Sequence, residues 1–278
     1  MLEFTVQQNF DGKTLREYLA ERGFSSTLVK RYKFHGKMLV NGHAVEVNRI
    51  LKEGDFVQLV EEFRLQTPQF APQSANVLFA DKFLYVAEKP YGMPTHPDRT
   101  HRNDTLGNAL ATYFKGDFEL RITTRLDKTT SGLVLGALDA ATANLLNVLQ
   151  QNHGIEKLYQ AEVEGCFEKP RGTIDLPLLR IDSQNKTIVD ENGKESCTLF
   201  EVAKQNSRSS LLWVTPKTGR THQIRAHLAA LGHPVCGDVL YGAKPDVRIK
   251  LHCAQLSFVH PVTKEKIEIR CPAEFWKD

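Results

Sequence analysis

The stretch Thr124-Arg125-Leu126-Asp127-Lys128-Thr129-Thr130-Ser131-Gly132-Leu133 places one carboxylate, Asp127, between two cations. Nearby positive charges favour the ionised form of a carboxylate. The small residues after it allow a tight bend and the close approach of another backbone. The apolar run that starts at Leu133 then predicts a buried strand. The stretch therefore predicts a loop that presents a charged aspartate ahead of a strand, although a loop-capping Asp beside a salt-bridged Arg explains it at least as well.

The composition is that of an ordinary globular protein with a mildly basic charge. The chain has 278 residues, 41% of them hydrophobic, and a net charge of +3. This length suffices for one large domain or two unequal ones, and the charge permits a nucleic-acid partner without requiring one. The five cysteines form no C-x-x-C pair, and we see neither a signal peptide nor an apolar run long enough to span a bilayer. We therefore expect a cytoplasmic protein without a membrane segment.

Residues 1–60 predict a small separate module of two helices and a hairpin. Ser25-Ser26 can cap the second helix, and Asn41-Gly42 between β-prone runs is a strong hairpin signal. The second helix carries three cations, Lys30, Arg31 and Lys33. They suit an RNA-binding face, and equally an ordinary solvated helix surface.

Residues 61–76, rich in Gln and Pro, predict an extended linker. The remainder, residues 77–278, predicts a second and larger domain with few helices and many adjacent strands. Asp104 and Asp139 are predicted helix caps, and Gly116 is predicted to end the first of these helices. The pattern predicts an α+β fold on a mostly antiparallel sheet with flanking helices and loops.

A second polar cluster, Gly219-Arg220-Thr221-His222-Gln223-Ile224-Arg225, opens a predicted helix over residues 221–230. Backbone N–H groups at a helix start favour anions, as do the two arginines. His222 and Gln223 suit contacts to phosphate or to base edges. The cluster thus predicts an anion site with a partner for Asp127, or alternatively a capped helix whose arginines face water.

Three histidines near this helix do not predict a metal site. His222, His227 and His233 are spaced by five and six residues, which does not place them on one helix face. His227 falls on the apolar stripe of the helix and is predicted to be a packed core residue. Tyr159 lies on the apolar face of a predicted strand and is by default a core tyrosine.

Taken together, these motifs resemble the RluA-type family of RNA pseudouridine synthases. Residues 125–133 resemble the family's central motif H-R-L-D-x-x-T-S-G-L, with Asp127 at the catalytic position. Thr124 stands where the family usually has His. Residues 219–225 resemble a second family motif, and the resemblance covers residues 77–272 with the motifs in the expected order.

Other segments add to the resemblance. Residues 88–93 are similar to the family's opening motif, and residues 157–161 to its tyrosine motif. Residues 11–60 resemble, with some divergence, a small RNA-binding module first seen in a ribosomal small-subunit protein and often found ahead of these enzymes.

The resemblance implies isomerisation of uridine to pseudouridine within RNA, with ribosomal RNA as the first expectation and transfer RNA as the second. The C1′–N1 bond breaks, the uracil turns, and C5 bonds to C1′. Because nothing is oxidised or hydrolysed, neither a cofactor nor a metal is required. Asp127 could attack C1′, attack C6, or remove the C2′ proton, and the sequence does not choose among these routes.

The resemblance also implies roles for individual residues. Arg225 is expected to pair with Asp127, and Tyr159 to stack on the uracil and help to move the C5 proton. Because the target base must leave its helix or loop to reach Asp127, base flipping is expected, with Arg125 filling the vacated space. The residues expected to hold RNA are Arg125, Arg220, His222, Gln223 and Lys89, together with the cations of the N-terminal module.

Two other functions fit parts of the sequence. A catalytically silent RNA-binding or ribosome-assembly protein would use the basic module, but it would not need Asp127, Tyr159 and Arg225 together. An enzyme acting on a free nucleoside would not need the module. We expect a monomer, and the sequence does not say whether the module sets site specificity or only adds affinity.

Overall fold

The N-terminal residues form a small antiparallel sheet with two helices, in a computed structural model that describes residues 2–62, 70–115 and 121–276. The helices are α1 (Leu15–Glu21) and α2 (Ser26–His35), and the strands are β1 (Leu2–Thr5), β2 (Gly36–Val40), β3 (His43–Ala44) and β4 (Phe56–Glu61). The strands lie in the spatial order β1-β4-β2-β3. The two predicted helices and the predicted hairpin are confirmed, whereas β1 was not predicted.

Local signals explain these elements. The Ser25 hydroxyl accepts a hydrogen bond from the Leu28 N–H at 3.2 Å and so caps α2. Asn41 and Gly42 both have left-handed φ angles, 52° and 81°, as a two-residue hairpin with the favoured twist requires. The domain boundaries stay a prediction, because residues 63–69 of the predicted linker lie outside the described residues.

A ten-stranded sheet forms the centre of the larger part of the chain. The strands after the linker are β5 (Asn76–Ala80), β6 (Leu84–Lys89), β7 (Arg121–Ile122), β8 (Ser131–Ala137), β9 (Ile155–Glu164), β10 (Arg171–Asp175), β11 (Leu178–Ile181), β12 (Lys186–Val189), β13 (Cys197–Gln205), β14 (Ser209–Pro216), β15 (Leu251–Val259) and β16 (Lys266–Arg270). The main order is β10-β13-β14-β9-β15-β8-β6-β5, with β16 beside β15 and β7 beside β8, while β11 and β12 form a separate ribbon. The predicted α+β class with a mostly antiparallel sheet is confirmed.

One pair of strands in this sheet is parallel, and it sets the position of Asp127. The strand β8 follows the Asp127 loop, is buried along its whole length, and runs parallel to β15. Gly132 pairs with Cys253 and has a φ of +111°. A Cβ at Gly132 would lie 2.3 Å from the Cys253 carbonyl oxygen, so only glycine fits there. The predicted close approach of another backbone is confirmed.

Among the described residues, three α-helices flank the sheet, α3 (Leu106–Tyr113), α4 (Ala140–Gln151) and α5 (Gln223–Ala230). Asp139 caps α4 as predicted, by accepting the Thr142 N–H at 2.8 Å. The predicted cap at Asp104 is wrong, because Thr105 caps α3 while the Asp104 carboxylate pairs with a histidine ring. The predicted helix end at Gly116 lies outside the described residues. Within the described ranges, no helix is long and apolar enough to cross a membrane.

Candidate active site

A cleft of about 980 Å³ opens beside the loop that carries Asp127. Its walls come from this loop, from β9 and from the first turn of α5. The three residues predicted to be catalytic, Asp127, Tyr159 and Arg225, all line it. They are far apart in sequence, so the sheet topology brings them together. Clefts of this size are typical of small-molecule and nucleotide sites.

The Asp127 loop is held by a neighbouring loop, residues 90–95. The Thr95 hydroxyl donates to the Leu126 carbonyl at 2.8 Å, and the Gly92 N–H donates to the Lys128 carbonyl at 3.0 Å. The Asp127 side chain keeps 27% of its surface exposed, on the cleft side. The loop therefore has a fixed backbone and a carboxylate that a ligand can reach.

Arg225 links Asp127 to a second carboxylate that the sequence analysis did not assign. Its Nη1 lies 3.5 Å from Asp127 Oδ2, while its Nε and Nη2 bind Asp238 at 2.6 and 2.9 Å. Burial acts to lower the pKa of Arg225, but the hydrogen bonds and charge of Asp238, with Asp127, outweigh it and raise that pKa. The guanidinium is therefore a permanent cation between two carboxylates.

Asp238 and Tyr241 were missed as site residues. Asp238 is fully buried, and the guanidinium carbon of Arg225 lies 5.0 Å from the centre of the Tyr241 ring. Both residues belong to a stretch after α5 with no regular periodicity, so spacing could not place them beside Arg225. The available signal was the resemblance of residues 231–242 to the family pattern, which includes both residues but assigned neither of them a role.

Tyr159 is buried, with 8% of its surface exposed, and it also lines the cleft. It lies on β9 opposite Cys253 of β15. Burial raises the pKa of Tyr159 well above its usual value, and the charge of Asp127 acts in the same direction. The default prediction of a core tyrosine thus holds for its burial, while its ring still faces the site as a neutral phenol.

His222, which was predicted to hold the RNA backbone, lies next to Asp127 in the cleft. Its Nε2 is 3.8 Å from Asp127 Oδ2, and its Nδ1 is 3.1 Å from the Tyr241 hydroxyl. Burial lowers the pKa of His222, partly offset by the charge of Asp127. The ring is therefore neutral near pH 7 and forms part of the wall around the carboxylate. It caps α5 by position, with a left-handed φ of 56°.

Two residues predicted to contact RNA, Gln223 and Lys89, have buried side chains that are bonded within the protein. Gln223 is buried, and its amide bonds Thr218, Arg220 N–H, the Cys197 carbonyl and Thr198. Lys89 is fully buried, and its Nζ donates to the carbonyls of Pro90, Met93 and Lys128 at 3.0, 2.8 and 3.3 Å. Burial lowers the pKa of Lys89 to about 7. Both side chains brace the loops of the site, and Gln223 also contributes to the lining of the cleft. A contact with RNA stays a prediction for both.

The other predicted RNA contacts lie at the surface. Arg125 and Arg220 are exposed at the rim of the cleft, where Arg125 Nη2 donates to the Thr221 hydroxyl at 3.1 Å. On α2, Lys30 and Lys33 are exposed and Arg31 is partly exposed. Their contacts with RNA stay predictions.

Thr124, the departure from the family pattern, is a buried structural residue. Its hydroxyl accepts the Leu135 N–H at 2.9 Å, and its own N–H donates to the Leu135 carbonyl at 3.0 Å. Thr124 is thus bonded to the edge of β8 through both its side chain and its backbone.

Two buried histidines, His252 of β15 and His227 of α5, use both ring nitrogens in hydrogen bonds within the protein. Glu88, His252 and Cys271 have potential ligand atoms within 4.8 Å of one another. However, both ring nitrogens of His252 are in use, one with the Ser131 hydroxyl at 2.8 Å and the other with the Cys271 carbonyl at 2.7 Å. This group therefore offers no imidazole lone pair to an ion. His227 is fully buried and bonded through both nitrogens, which confirms its prediction as a packed core histidine.

The side chains that line the cleft indicate what kind of substrate it can bind. A carboxylate held by a buried guanidinium, a neutral phenol beside it and arginines at the rim suit chemistry on a planar base attached to a phosphate backbone. Comparison with known proteins agrees. Residues 83–230 match the family model described as RNA pseudouridylate synthase. The chain therefore belongs to the RNA pseudouridine synthase family.

Curated relatives place it among the RluA-type members. A Bacillus subtilis (strain 168) protein, described as the uncharacterized RNA pseudouridine synthase YjbO, is 34% identical over 93% of this chain and 95% of its own length. A Vibrio parahaemolyticus protein, described as the dual-specificity RNA pseudouridine synthase RluA, is 32% identical over 73% of this chain and 85% of its own. The predicted family and the predicted enzyme class are confirmed.

Solved structures support the same fold. Human RNA pseudouridylate synthase domain containing 1 aligns with a TM-score of 0.63 and 27% identity, over 73% of this chain and 85% of that one. Human RNA pseudouridylate synthase domain containing 4 gives a TM-score of 0.60 and 25% identity, over 72% and 90%. The α+β catalytic fold is thus shared with pseudouridylate synthases.

Proposed function

We propose that this enzyme isomerises one or a few specific uridines in structured RNA, ribosomal RNA in the first place, with Asp127 as its essential residue. Transfer RNA is the second candidate. The observation that carries the proposal is the meeting of Asp127, Tyr159 and Arg225 on one cleft, with Asp127 3.5 Å from the guanidinium. The N-terminal module, which resembles one found in a ribosomal protein, supports the preference for ribosomal RNA.

The reaction rearranges one nucleotide without adding or removing atoms. The C1′–N1 bond breaks and a C1′–C5 bond forms. C5 loses one proton, and N1 gains one. Tritium at C5 is therefore released to water once per turnover, while the sum formula of the RNA stays the same.

Asp127 acts first on the flipped nucleotide. Its carboxylate faces the cleft and is only loosely held by Arg225 at 3.5 Å, so it can approach the ribose or the uracil. Attack at C1′, attack at C6 and removal of the C2′ proton are all compatible with this position. In each route the Arg225 charge stabilises the free carboxylate when it is regenerated, either as a leaving group after attack at C1′ or C6 or by loss of the proton taken from C2′.

Tyr159 supplies a ring for the uracil to stack against. Because burial raises its pKa, the phenol keeps its proton near pH 7 and cannot serve as a phenolate base. Its role in moving the C5 proton is therefore limited to donation or relay through the neutral hydroxyl.

Arg125 and Arg220 suit the RNA outside the cleft. Both are exposed at its rim, where phosphates of the flanking nucleotides would pass. Extrusion of a base leaves a gap in the stack, and Arg125, next but one to Asp127, is in reach of it. Base flipping explains how a carboxylate in a cleft meets a base that starts in a helix or loop.

The test uses RNA transcripts whose uracils carry tritium at C5. Purified enzyme is incubated with ribosomal RNA and, separately, with transfer RNA, and tritium released to water is counted. We expect stoichiometric release by the wild type and a loss of at least about 10³-fold in Asp127→Asn, since the amide is neither a nucleophile nor a base. Asp182→Asn, a change at an exposed carboxylate, serves as the control and should match the wild type.

Two outcomes would contradict the proposal. Release by Asp127→Asn at the wild-type rate would remove Asp127 from the chemistry. Release from transfer RNA with none from ribosomal RNA would keep the reaction and reverse the order of substrates. Mapping of the modified position then identifies the target uridine.

A further inference from the structure

Lys157 lies in the catalytic cleft, on β9 and two residues before Tyr159. Because side chains alternate along a strand, these two residues share one face of the sheet, and both line the cleft. On the neighbouring strand β15, Leu256 pairs with Lys157 and Cys253 pairs with Tyr159. The lysine and the tyrosine therefore form one wall of the cleft, side by side.

Among the described residues, none accepts a hydrogen bond from Lys157 or forms an ion pair with it. The side chain is nevertheless partly buried. Its charge acts on the Cys253 thiol, which is neutral near pH 7 because burial raises the pKa of Cys253 to about 12. Lys89, by contrast, gives hydrogen bonds to three carbonyl oxygens. A shielded amine without an acceptor costs free energy, unless a ligand supplies the acceptor.

The carboxylates of the site are engaged elsewhere. Asp127 lies 3.5 Å from Arg225 and 3.8 Å from His222. Asp238 is bonded to Arg225 through both of its oxygens. The charge of Lys157 is therefore left for a ligand in the cleft.

The base of an RNA suits this position better than a phosphate does. A phosphate carries a full charge and is costly to bring into a shielded site, whereas the exposed arginines at the rim can hold it in water. A flipped uracil that stacks on Tyr159 does enter the cleft. Residues two apart on a strand are separated by about 6.6 Å, and the flexible stem of a lysine spans this gap. The amine of Lys157 can thus reach the edge of the stacked ring, where the uracil has its carbonyl oxygens.

The reaction places negative charge on this ring in each of the three routes that are open to Asp127. Attack at C1′, like removal of the C2′ proton, leaves the electron pair of the C1′–N1 bond on the uracil, where N1 and the carbonyl oxygens share it. Attack at C6 pushes the electron pair of the C5–C6 double bond toward O4. A fixed N–H donor is most effective at an oxygen where charge develops during the reaction.

We infer that Lys157 is a further catalytic residue, which donates a hydrogen bond to a carbonyl oxygen of the flipped uracil and stabilises the negative charge that the ring carries before the C1′–C5 bond forms. The inference rests on the proposed function. The charge disappears when C5 bonds to C1′, C5 loses its proton and N1 gains one. Lys157 keeps its own proton throughout, so it leaves the turnover unchanged.

The first test measures tritium release from whichever of the two RNAs the wild type modifies. Lys157→Met removes the charge and keeps an unbranched apolar stem, so it disturbs the packing little. We expect kcat to fall about 100-fold and KM to change less than about threefold, as for the loss of one donor that acts on developing charge. Lys204→Met, the same change at an exposed lysine of β13, is the control and should match the wild type.

The second test separates a charge effect from a structural one through the pH dependence of kcat. Burial lowers the pKa of Lys157 below its usual value near 10.5, whereas an arginine keeps its charge throughout this range. The wild type should lose activity as the pH rises through the pKa of Lys157, and Lys157→Arg should lack this loss. Cys253 and Tyr159 keep their protons there, because burial raises the pKa of each. Titration of the RNA, or of Lys89 at its pKa of about 7, is common to both proteins.

Either of two results would overturn the inference. One is a folded Lys157→Met whose kcat equals that of Lys204→Met. The other is the same alkaline loss of activity in the wild type and in Lys157→Arg, and this result counts even where Lys157→Met does not fold. A wild type that releases no tritium from either RNA would refute the proposed function and the inference together, which distinguishes that failure from a failure at Lys157 alone.

Discussion

At the scale of single residues, Arg225 is shared unequally between two carboxylates. Its short bidentate contact is with buried Asp238, at 2.6 and 2.9 Å, and its longer contact is with Asp127, at 3.5 Å. The buried partner fixes the plane of the guanidinium. Asp127, the carboxylate that we propose to be reactive, is left free to move toward a substrate while a positive charge stays beside it. Asp238 is therefore a positioning residue for Asp127.

Replacing Asp238 with Asn should damage both stability and turnover. The change leaves a buried guanidinium without its main counter-charge, which typically lowers the free energy of unfolding by about 3–5 kcal/mol. We expect kcat for tritium release to fall about 100-fold, while KM for RNA changes little, because Asp238 does not reach the surface. Urea unfolding and steady-state kinetics measure the two effects. A drop in stability with unchanged kcat would show that Asp238 supports the fold alone.

The buried histidine of α5 should make the protein sensitive to acid. Burial lowers the pKa of His227 in the folded state below its usual value near 6.5. The unfolded chain then binds the extra proton first, so the free energy of unfolding falls as pH drops below about 6.5, by up to about 1.4 kcal/mol per pH unit for this group. His227→Gln should flatten the dependence between pH 7 and 5. Urea titrations at each pH measure the slope, and an unchanged slope in the variant would assign the dependence to other groups.

At the scale of elements, the parallel contact between β8 and β15 depends on one glycine. Gly132 has a φ of +111°, and a methyl group in place of its hydrogen would overlap the Cys253 carbonyl oxygen. Gly132→Ala should therefore lower the free energy of unfolding by more than the 1–3 kcal/mol or so of backbone strain alone. Gly12→Ala is the control, because Gly12 has a φ of +78° but open space around it. Equal losses in the two variants, measured by urea unfolding, would mean that the close approach carries no cost.

Elements with local signals were predictable from the sequence, and elements fixed by distant partners were not. Ser25, Asp139 and the Asn41-Gly42 turn act through hydrogen bonds or φ angles within a few residues, so their helices and hairpin were found. The short strand β1 has its partner, β4, more than 50 residues away. The parallel pairing of β8 with β15 joins residues about 120 apart, and no periodicity reports it. Alternation finds strands but does not show which strands are neighbours.

The residues of the site were also only partly predictable from the sequence. Asp127, Tyr159 and Arg225 were found through motifs, and they do share one cleft. The sequence did not show that Lys89 and Gln223 are buried, because their residue types are typical of a hydrated surface and burial depends on what packs over them. Lys89 is tolerated inside because three carbonyl oxygens accept hydrogen bonds from its Nζ. Residue type predicts what a side chain can bind, and only the fold decides whether RNA or the protein's own backbone supplies the partner.

At the scale of the whole molecule, the N-terminal module and the larger part of the chain share one apolar core, so the module cannot be removed without affecting the rest. Deleting residues 1–60 would expose Phe83, Ala140 and Ala141, which are buried against the module. A truncated enzyme would then lose stability as well as RNA contacts, and a loss of activity would not separate the two causes. A substitution at an exposed residue of the full chain, such as Phe34→Ala, leaves this apolar core intact.

Two asparagines of α4 allow a test of whether the N-terminal module is held against this helix. Asn144 makes both of its hydrogen bonds to the module, whereas Asn147 lies exposed on the same helix. Either change to Ala gains about 0.5 kcal/mol of helix propensity, so the difference between the variants isolates the interdomain bonds. We expect Asn144→Ala to be about 1–2 kcal/mol less stable than Asn147→Ala, with a single unfolding transition in both. Identical stability of the two variants would mean that the Asn144 bonds do not hold the module, and separate transitions in the wild type would mean that the module unfolds independently.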